Sequence, residues 1–265
     1  MPGAEVGRVE AKTAGAGIPI GWDGAVDAVL PDALKDIPPA VASQLGWVLG
    51  FADGHHLNRR AYERVHHLLD LALIGLTLPG WLPLLGILCL LVKVESPADP
   101  IIYRSWRTGR DGRRFEMYKI RTMVCDADEL LPTVIHLNQR SWPEIKIPND
   151  PRVTKLGHFL RRTHLDELPQ LFNVIRGDMS LVGPRPTAAS VECYEPWHRS
   201  RLRMKPGITG LWQIVQRDVN HFDIRVRLDI LYINRCCWLL DLLILLRTIG
   251  LVLAASRPIE ARRPS

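Results

Sequence analysis

An uncharged stretch of 22 residues, 71–92, constrains this chain of 265 residues more than any other feature. It reads LALIGLTLPGWLPLLGILCLLV. As an α-helix it would extend about 33 Å, which matches the roughly 30 Å hydrocarbon core of a bilayer. A buried core helix of this length would be expected to carry a polar interruption, so we interpret 71–92 as a membrane-embedded segment.

Two features favour a helix that enters the bilayer and returns over one that spans it. Pro79 lies well inside the stretch, and a bend is expected there because proline lacks a backbone donor and clashes with the preceding turn. Both flanks are basic, with Arg59, Arg60 and Arg64 before the stretch and Lys93, Arg104, Arg107 and Arg110 after it. Basic flanks favour the cytoplasmic side, so 59–95 is predicted to be a re-entrant helix, with a straight span as the alternative.

Composition narrows the classes of protein further. Apolar residues make up 47% and charged residues 23%, which excludes wholesale disorder. Lys and Arg number 34 against 28 Asp and Glu, and this net charge of +6 indicates an anionic partner such as nucleic acid, an anionic membrane or a phosphorylated substrate. The five cysteines form no CxxC pair, so we expect a reduced, cytosol-facing protein without a disulfide framework or zinc site.

The two ends of the chain differ from its middle. Residues 1–58 are rich in Gly, Ala and Pro and hold three basic against seven acidic residues, so we predict a poorly ordered extension or small accessory piece. Residues 228–254 form an apolar run that Asp241 and Arg247 interrupt. Burying these charges in a span is costly, so an interfacial amphipathic helix is preferred, with a core helix as the alternative. Residues 256–265 are expected to be a tail.

A basic region follows the apolar stretch. Residues 104–121 carry seven basic and two acidic residues. Asp111-Gly112 favours the positive φ of a hairpin turn, so 101–103 and 115–118 are predicted to be short strands of a β-hairpin at the membrane face. Several of these arginines would simply touch anionic lipid head groups.

Within this basic region, two residues are candidates for a more specific role. Lys119 and Arg121 are predicted to clamp phosphate groups, since ammonium and guanidinium donors form strong charge-assisted hydrogen bonds with phosphate oxygens.

The segment 150–186 is the most informative part of the chain. Asp150-Pro151 is predicted to open a helix that ends at Arg161 and Arg162. A second helix is predicted to begin with Asp166 as its N-cap and to stop at Gly177.

Asp166 and Glu167 therefore stand side by side at a predicted helix N-terminus. In the structural interpretation, Asp166 caps the helix and Glu167 complements its dipole. In the functional interpretation, the dipole and nearby arginines keep Asp166 ionised and able to attack phosphorus. Glu167 would then hold a divalent cation such as Mg²⁺, with Arg161 as further compensation for the two charges.

The turn Gly183-Pro184-Arg185-Pro186 places an arginine between two prolines. Pro184 and Pro186 fix their own φ, and Pro186 also restricts Arg185. A restrained arginine loses less entropy on binding an anion, although a rigid linker with a solvated arginine fits the same pattern. The adjacent histidines at 55–56 and 66–67 do not predict a metal site, since neighbouring positions on a helix point in different directions.

Four segments together resemble the bacterial sugar transferases, the monotopic polyprenyl-phosphate hexose-1-phosphate transferases. They are 119–123 (KIRTM), 165–171 (LDELPQL), 177–186 (GDMSLVGPRP) and 205–213 (KPGITGLWQ), in the order seen in that family. The resemblance covers roughly residues 60–255. One departure is His164, where the family commonly has Ser.

The resemblance implies an activity. Such enzymes move a sugar-1-phosphate from a UDP-sugar to a polyprenyl phosphate, usually undecaprenyl phosphate, release UMP and use Mg²⁺. By this resemblance Asp166 is the nucleophile that forms a covalent aspartyl-phosphosugar, and Glu167 binds the metal. Arg161, together with Arg185 in its Pro184–Pro186 turn, would bind substrate.

These predictions combine into an α+β, mainly helical chain. We expect a re-entrant membrane helix over 59–95 and a small cytosolic catalytic domain over 96–255, with a short β-hairpin and interfacial helices. Its site would face the cytoplasm at the bacterial inner membrane, initiating exopolysaccharide, O-antigen or glycoconjugate synthesis. Membrane lipids are expected partners and nucleic acid is not, and a homo-oligomer is left open. The alternatives are a basic helix-turn-helix that binds DNA and a non-catalytic membrane scaffold.

Overall fold

A computed structural model describes residues 37–51, 59–139, 145, 147–215 and 221–255. The helices there are α1 Pro39–Ala42, α2 Gly46–Leu49, α3 Arg59–Glu95, α4 Leu131–Val134, α5 Lys155–Thr163, α6 Gln170–Arg176, α7 Leu211–Val215, α8 Phe222–Arg235 and α9 Trp238–Ala255. The strands are β1 Ile102–Thr108, β2 Arg114–Ile120, β3 Ser180–Val182 and β4 Gly207–Thr209. The predicted mainly helical class with small sheets is confirmed.

The apolar stretch lies inside α3, a single helix of 37 residues with Pro79 and Pro83 in its interior. Its part from Ala61 to Glu95 is long and apolar enough to cross a membrane. One stripe of α3 is buried: Tyr62, His66, Asp70, Ile74, Trp81, Leu85, Leu88 and Val92. Large apolar side chains on its other faces are exposed, among them Leu68, Leu76, Ile87, Leu90 and Val94. Because the buried stripe continues past Pro79, both halves of α3 pack against the rest of the protein.

The predicted β-hairpin is present, with longer strands than the sequence pattern indicated. Strands β1 and β2 are antiparallel, and Tyr103 lies opposite Lys119. Asp111 and Gly112 have φ of 55° and 76° in the turn, as their sequence suggested. The backbone N–H of Gly109 donates to the carbonyl oxygen of Arg113 (2.8 Å), so the connection is longer than a two-residue turn.

The first predicted helix of the 150–186 segment begins later than expected. Helix α5 starts at Lys155, and its N-cap is Thr154, whose hydroxyl accepts from the backbone N–H of Gly157. The carboxylate of Asp150 instead pairs with the guanidinium of Arg152 at 2.7 Å. This pairing, together with backbone donation from Arg152, holds the pKa of Asp150 below its usual range. The prediction of a helix opening at Asp150-Pro151 was therefore wrong, because Asp150 forms an ion pair and does not act as a cap.

Strands β3 and β4 form a parallel pair that the sequence pattern did not reveal. Ser180 lies opposite Gly207 and Val182 opposite Thr209. A Cβ atom on Gly207 would lie only 2.1 Å from the backbone nitrogen of Gly183. Glycine is therefore required at 207, where two backbones meet next to the Pro-Arg-Pro turn.

Residues 37–51, which we assigned to a poorly ordered extension, are packed. Val41, Leu45 and Val48 are buried in a core cluster with residues of α8 and α9. The guanidinium carbon of Arg247 lies 3.6 Å from the centre of the Trp47 ring. The remaining parts of that prediction, 1–36 with Trp22 and 52–58 with the 55–56 histidines, lie outside the described residues, as does the tail 256–265.

Helix α9 has one buried and one exposed side. Leu240 and Ile244 are fully buried, whereas the outer side exposes apolar residues at helical spacing: Trp238, Leu239, Leu242, Leu246, Ile249 and Leu253. This arrangement combines features of the core and interfacial alternatives. Asp241, which interrupts the apolar run, lies on the buried side.

Asp241 is the centre of a buried polar group that joins α3, α8 and α9. Its carboxylate accepts hydrogen bonds from the hydroxyls of Tyr62 and Tyr232, each at 2.6 Å, and lies 3.0 Å from Nε2 of His66. Asp70, one turn along α3, accepts from the hydroxyl of Ser180 at 2.7 Å. We call Asp241, Asp70 and these partners the Asp241 cluster.

Candidate active site

The two adjacent carboxylates lie in a single 3₁₀ turn, Leu165–Glu167, between α5 and α6. Helix α5 ends at His164, which adopts a left-handed conformation with φ of 59° and redirects the chain. Both carboxylates are nearly covered, with side-chain exposures of 9% for Asp166 and 11% for Glu167. Within this turn Asp166 makes no side-chain cap, so the predicted N-cap role was wrong.

Lys119 reaches the carboxylates from the end of β2. Its Nζ donates to Oε1 of Glu167 at 2.8 Å and lies 3.6 Å from Oδ2 of Asp166. Arg185 approaches from the other side with both terminal nitrogens. Its Nη1 donates to Oε2 of Glu167 at 3.2 Å, and its Nη2 donates to Oε1. The structure therefore brings four of the predicted site residues into direct contact.

The two carboxylates differ in how well their charges are compensated. Burial alone would raise the pKa of Glu167, but Arg185 and Lys119 outweigh it and hold this pKa well below the ordinary range. Burial raises the pKa of Asp166, and Lys119 opposes this only in part, while the negative charge of Glu167 adds to it. Glu167 is thus fixed by two cations, whereas the oxygens of Asp166 are less engaged and more available for reaction.

The turn from Pro184 to Pro186 is fixed through its backbone. The carbonyl of Pro184 accepts from the N–H of Gly207 at 2.9 Å, and the carbonyl of Arg185 accepts from Nη2 of Arg201 at 2.7 Å. Arg201 is itself paired with Asp229 at 2.6 Å, and both side chains are almost fully buried. Pro184 and Pro186 therefore contribute by positioning Arg185, whose side chain extends from an anchored backbone.

The other two predicted cations, Arg161 and Arg121, are held by other partners. Nε of Arg161 donates to the hydroxyl of Thr122 at 2.8 Å, and its positive charge interacts electrostatically with Asp166. Burial lowers the pKa of Arg161, and Asp166 opposes this shift. Arg121 instead pairs with Asp99 at 3.2 Å. The four predicted cations thus divide into an inner pair that contacts Glu167 and an outer pair held by other partners.

Two residues that position the site were not predicted from the sequence. Asn173 of α6 is completely buried, and its side chain accepts from the N–H of Tyr118 at 3.0 Å and donates to the carbonyl of Glu116 at 2.6 Å. It fixes α6 to the edge of β2, one residue before Lys119. No apolar stripe marks this position, because the buried side of α6 also carries the polar Gln170 beside Val174.

Thr122 is the second missed residue, because it orients Arg161 from the segment after β2. Its backbone approaches α5 so closely that a Cβ atom on Gly157 would lie 2.1 Å from its carbonyl oxygen. No pattern in the sequence indicates this approach.

The carboxylate pair suits a divalent cation only together with substrate. In the described part of the chain, no group of three or more His, Cys, Asp or Glu side chains converges as a metal site. Mg²⁺, however, binds through one or two carboxylates plus substrate phosphates, and Asp166 and Glu167 provide hard oxygen ligands of that kind. The donor set would fit Mg²⁺ bound together with a diphosphate, and Glu167 would then be the protein ligand.

Two adjacent, nearly buried carboxylates and the inner pair of cations form the candidate site. Residues 61–255 match the family model described as bacterial sugar transferase, and the chain belongs to that family. The matched range contains every residue of the site and nearly all of α3.

Several curated proteins are similar to the chain. It is 42% identical over 184 residues to the galactosyl transferase CpsE of Streptococcus agalactiae, covering 69% of this chain and 40% of the relative. It is 43% identical over 166 residues to the undecaprenyl-phosphate galactose phosphotransferase of Salmonella typhimurium, covering 61% and 35%. The UDP-glucose:undecaprenyl-phosphate glucose-1-phosphate transferase of Caulobacter vibrioides is 36% identical over 240 residues, covering 86% and 85%. The chain thus spans about two fifths of the first two relatives and most of the third.

Proposed function

We propose that this protein transfers a sugar-1-phosphate from a UDP-sugar to a polyprenyl phosphate such as undecaprenyl phosphate, and so initiates synthesis of a bacterial glycan. The observation that carries the proposal is the buried Asp166–Glu167 pair bridged by Lys119 in a member of the bacterial sugar transferase family. The names of the relatives support the donor and acceptor classes. Exopolysaccharide production, named for another relative, is one such glycan pathway.

Asp166 acts as the nucleophile in this proposal. In the first half-reaction, one of its carboxylate oxygens attacks the phosphorus that carries the sugar, the bond from this phosphorus to the bridging oxygen breaks, and UMP leaves with the electron pair. In the second half-reaction, an oxygen of the polyprenyl phosphate attacks the same phosphorus of the aspartyl-phosphosugar. The aspartyl oxygen then leaves with its electron pair, and the carboxylate of Asp166 is restored.

The surrounding cations stabilise charge during both steps. Phosphoryl transfer depends mainly on positioning and charge neutralisation, which basic side chains at fixed positions provide. Lys119 lies 3.6 Å from the Asp166 carboxylate, where it can meet the phosphoryl oxygens that arrive there. Arg185, and Arg161 behind it, would bind the remaining phosphate oxygens, with Arg121 further out. When bound at Glu167, Mg²⁺ would supply additional neutralisation of the diphosphate charge.

The exposed apolar faces of α3 and α9 support attachment to a membrane. We propose that α3 enters the cytoplasmic face of the inner membrane as a re-entrant helix and returns. Trp81 Nε1 donates to the carbonyl of Ile74, seven residues earlier, at 3.1 Å, and the Thr77 hydroxyl donates to Leu73 at 2.7 Å. Proline lacks an N–H, so Pro79 leaves the carbonyl of Gly75 without its usual helical donor. The two bonds strengthen the carbonyls just before that one, next to the interruption. The site would then lie at the depth of the lipid phosphate.

A DNA-binding helix-turn-helix fits the structure poorly. A recognition helix needs a free polar face, but α6 has Phe172 packed edge-on against Trp81 of α3 at 5.6 Å. Asp166 and Glu167 stand in the connection, where negative charge would oppose DNA. A non-catalytic scaffold would not need a reactive carboxylate beside the inner cations, and the labelling experiment below separates it from an enzyme.

The test of the proposed function uses the full chain in lipid nanodiscs with a panel of UDP-sugars labelled at the β-phosphate. We expect UMP release and a labelled protein for at least one donor, and transfer of the label to undecaprenyl phosphate when this is added. Asp166→Asn should lower turnover at least about 10³-fold and abolish the label, as removal of a nucleophile does. Asp126→Asn, in an exposed turn, is the matched control and should retain both. Labelling that persists in Asp166→Asn would remove Asp166 from the mechanism.

The membrane proposal has its own test. Pro79→Leu should straighten α3, because leucine restores the missing donor and removes the clash. A cysteine placed at position 11 in a cysteine-free background should be protected from a membrane-impermeant maleimide in the parent and labelled from the periplasmic side in Pro79→Leu. Pro83→Leu serves as the matched control and should remain protected. Periplasmic labelling in the parent would contradict the re-entrant arrangement.

A further inference from the structure

Glu167, the proposed metal ligand, already uses both of its carboxylate oxygens. Oε1 accepts hydrogen bonds from Lys119 Nζ at 2.8 Å and from Arg185, and Oε2 accepts from Arg185 Nη1 at 3.2 Å. With the side chain of Glu167 only 11% exposed, little of it remains open to a further ligand. The inference drawn from this arrangement rests on the proposed function.

The carboxylates of the inner site are compensated without substrate. Lys119 and Arg185 place two positive charges against Glu167, and Lys119 and Arg161 also act on Asp166. A divalent cation that entered alone would leave an excess of positive charge among groups about 3 Å apart, with Arg161 adding to the repulsion. A diphosphate that entered with it would restore the balance and would also offer the inner cations new partners.

The side chains of Lys119 and Arg185 are long and partly exposed, which allows them to change partners. Their side chains are 20% and 30% exposed, so both ends can reach an incoming anion. The backbone of Arg185 is anchored by Arg201, and Lys119 lies in the β1–β2 hairpin next to the contact with Asn173. Only the long side chains therefore have to move.

We propose that Lys119 and Arg185 act as placeholder cations, which keep Glu167 closed to a divalent metal until the diphosphate of a nucleotide draws them away. Metal and nucleotide diphosphate then bind with strong positive coupling, and each raises the affinity of the other by the same factor. In the metal-free, nucleotide-free site Glu167 is never left uncompensated, since Lys119 and Arg185 remain bound to it. The chemical class recognised by the exchange is the diphosphate group, whatever the attached sugar.

The test measures Mn²⁺ binding by electron paramagnetic resonance, with Mn²⁺ as the probe for Mg²⁺. The full chain in nanodiscs is titrated with and without α,β-methylene-UDP, whose bridge cannot be cleaved. We expect the analogue to tighten Mn²⁺ binding about tenfold or more, within the usual range of coupling between ligands. Glu167→Gln in the presence of the analogue gives the background from Mn²⁺ bound to nucleotide alone.

Removing one placeholder should open the site. Arg185→Gln is expected to tighten Mn²⁺ binding about tenfold in the absence of nucleotide and to reduce the coupling, and Lys119→Gln should act in the same direction. Arg176→Gln is the matched control, since this arginine pairs with Asp178 at 3.3 Å, and it should change neither value. Thermal unfolding of each variant shows that it is folded, and two independent placeholder variants guard against failure of one.

Each outcome bears on a distinct claim. If wild-type protein binds Mn²⁺ equally well with and without the analogue, or if both placeholder variants leave the nucleotide-free affinity unchanged, the exchange is overturned while the proposed function stands. If Glu167→Gln binds Mn²⁺ as wild type does in the presence of the analogue, Glu167 is not the metal ligand, and the exchange falls with that assignment. Loss of the covalent label, measured separately, tests the proposed function itself.

Discussion

The protein contains two buried groups of acidic side chains that are satisfied by different kinds of partner. At the site, Glu167 is held by the cations Lys119 and Arg185. In the Asp241 cluster, the carboxylate of Asp241 is held mainly by the hydroxyls of Tyr62 and Tyr232. Burial raises the pKa of Tyr232, so this phenol remains a protonated donor at neutral pH.

The difference in partners separates a group that can exchange ligands from one that holds the fold together. Long cationic side chains that are partly exposed can leave a carboxylate when a phosphate arrives. The tyrosines on α3 and α8 are almost fully buried, with exposures of 5% for Tyr62 and 0% for Tyr232. The carboxylates at the site are therefore suited to the proposed chemistry, whereas Asp241 connects α3 to α8 and α9.

The largest effect on stability is expected from Asp241→Leu. This change leaves two phenol donors and His66 without their acceptor, and each unsatisfied buried group costs about 1–3 kcal/mol. The free energy of unfolding in nanodiscs should fall by about 3–5 kcal/mol, with the covalent labelling per folded molecule retained.

Asp126→Leu, at an exposed position, controls for the loss of an acidic side chain and should be nearly neutral. A small effect of Asp241→Leu, below about 1 kcal/mol, would show that the Asp241 cluster does not have the structural role assigned to it.

An intermediate effect on stability is expected from Asn173→Leu, because Asn173 joins α6 to β2, the strand that carries Lys119. The change leaves the N–H of Tyr118 and the carbonyl of Glu116 unpaired, and we expect a loss of about 2–3 kcal/mol in stability. Because β2 then holds Lys119 less firmly, turnover per folded molecule should fall about tenfold or more. Unchanged turnover in folded Asn173→Leu would mean that Asn173 supports the fold alone.

The smallest effect on stability is expected from Asp166→Asn, although it abolishes labelling. Burial disfavours the charge of Asp166, and Lys119 keeps Glu167 as its main partner, so a neutral amide costs little. The free energy of unfolding should stay within about 0.5 kcal/mol of the parent or rise. A loss above about 2 kcal/mol would place Asp166 with Asp241 as a structural carboxylate.

Local signals in the sequence predicted part of the fold and part of the site. Asp111-Gly112 identified the hairpin turn because the positive φ it requires is a property of the residues themselves. Gly177 ended α6 for the same reason, with φ of 82°. The apolar stretch identified α3 by length and composition, and the four motifs selected Asp166, Glu167, Lys119 and Arg185, which the structure brings into contact.

Features that depend on tertiary contacts or on competing partners could not be predicted in this way. Asp150 carries the signal of a helix cap, yet Arg152 competes for its carboxylate, and the helix starts at Lys155. Asp241 interrupts an apolar run, and burying its charge was expected to be costly in free energy. Tyr62, 179 residues earlier in the chain, donates a hydrogen bond to its carboxylate. The three-residue strands β3 and β4 are too short to show a period, and the segment 37–51 folds through contacts with α8 and α9.

The core that α3 shares with the rest of the protein limits which parts of the chain can be removed. Trp81, Leu85, Leu88 and Val92 form one wall of a cluster whose other wall contains Met117, Ile120 and Leu160. A fragment that began after Glu95 would expose that second wall to water and lose Tyr62 and His66 as well. A shortened version for engineering or genetic fusion therefore has to keep α3 together with the domain that packs against it.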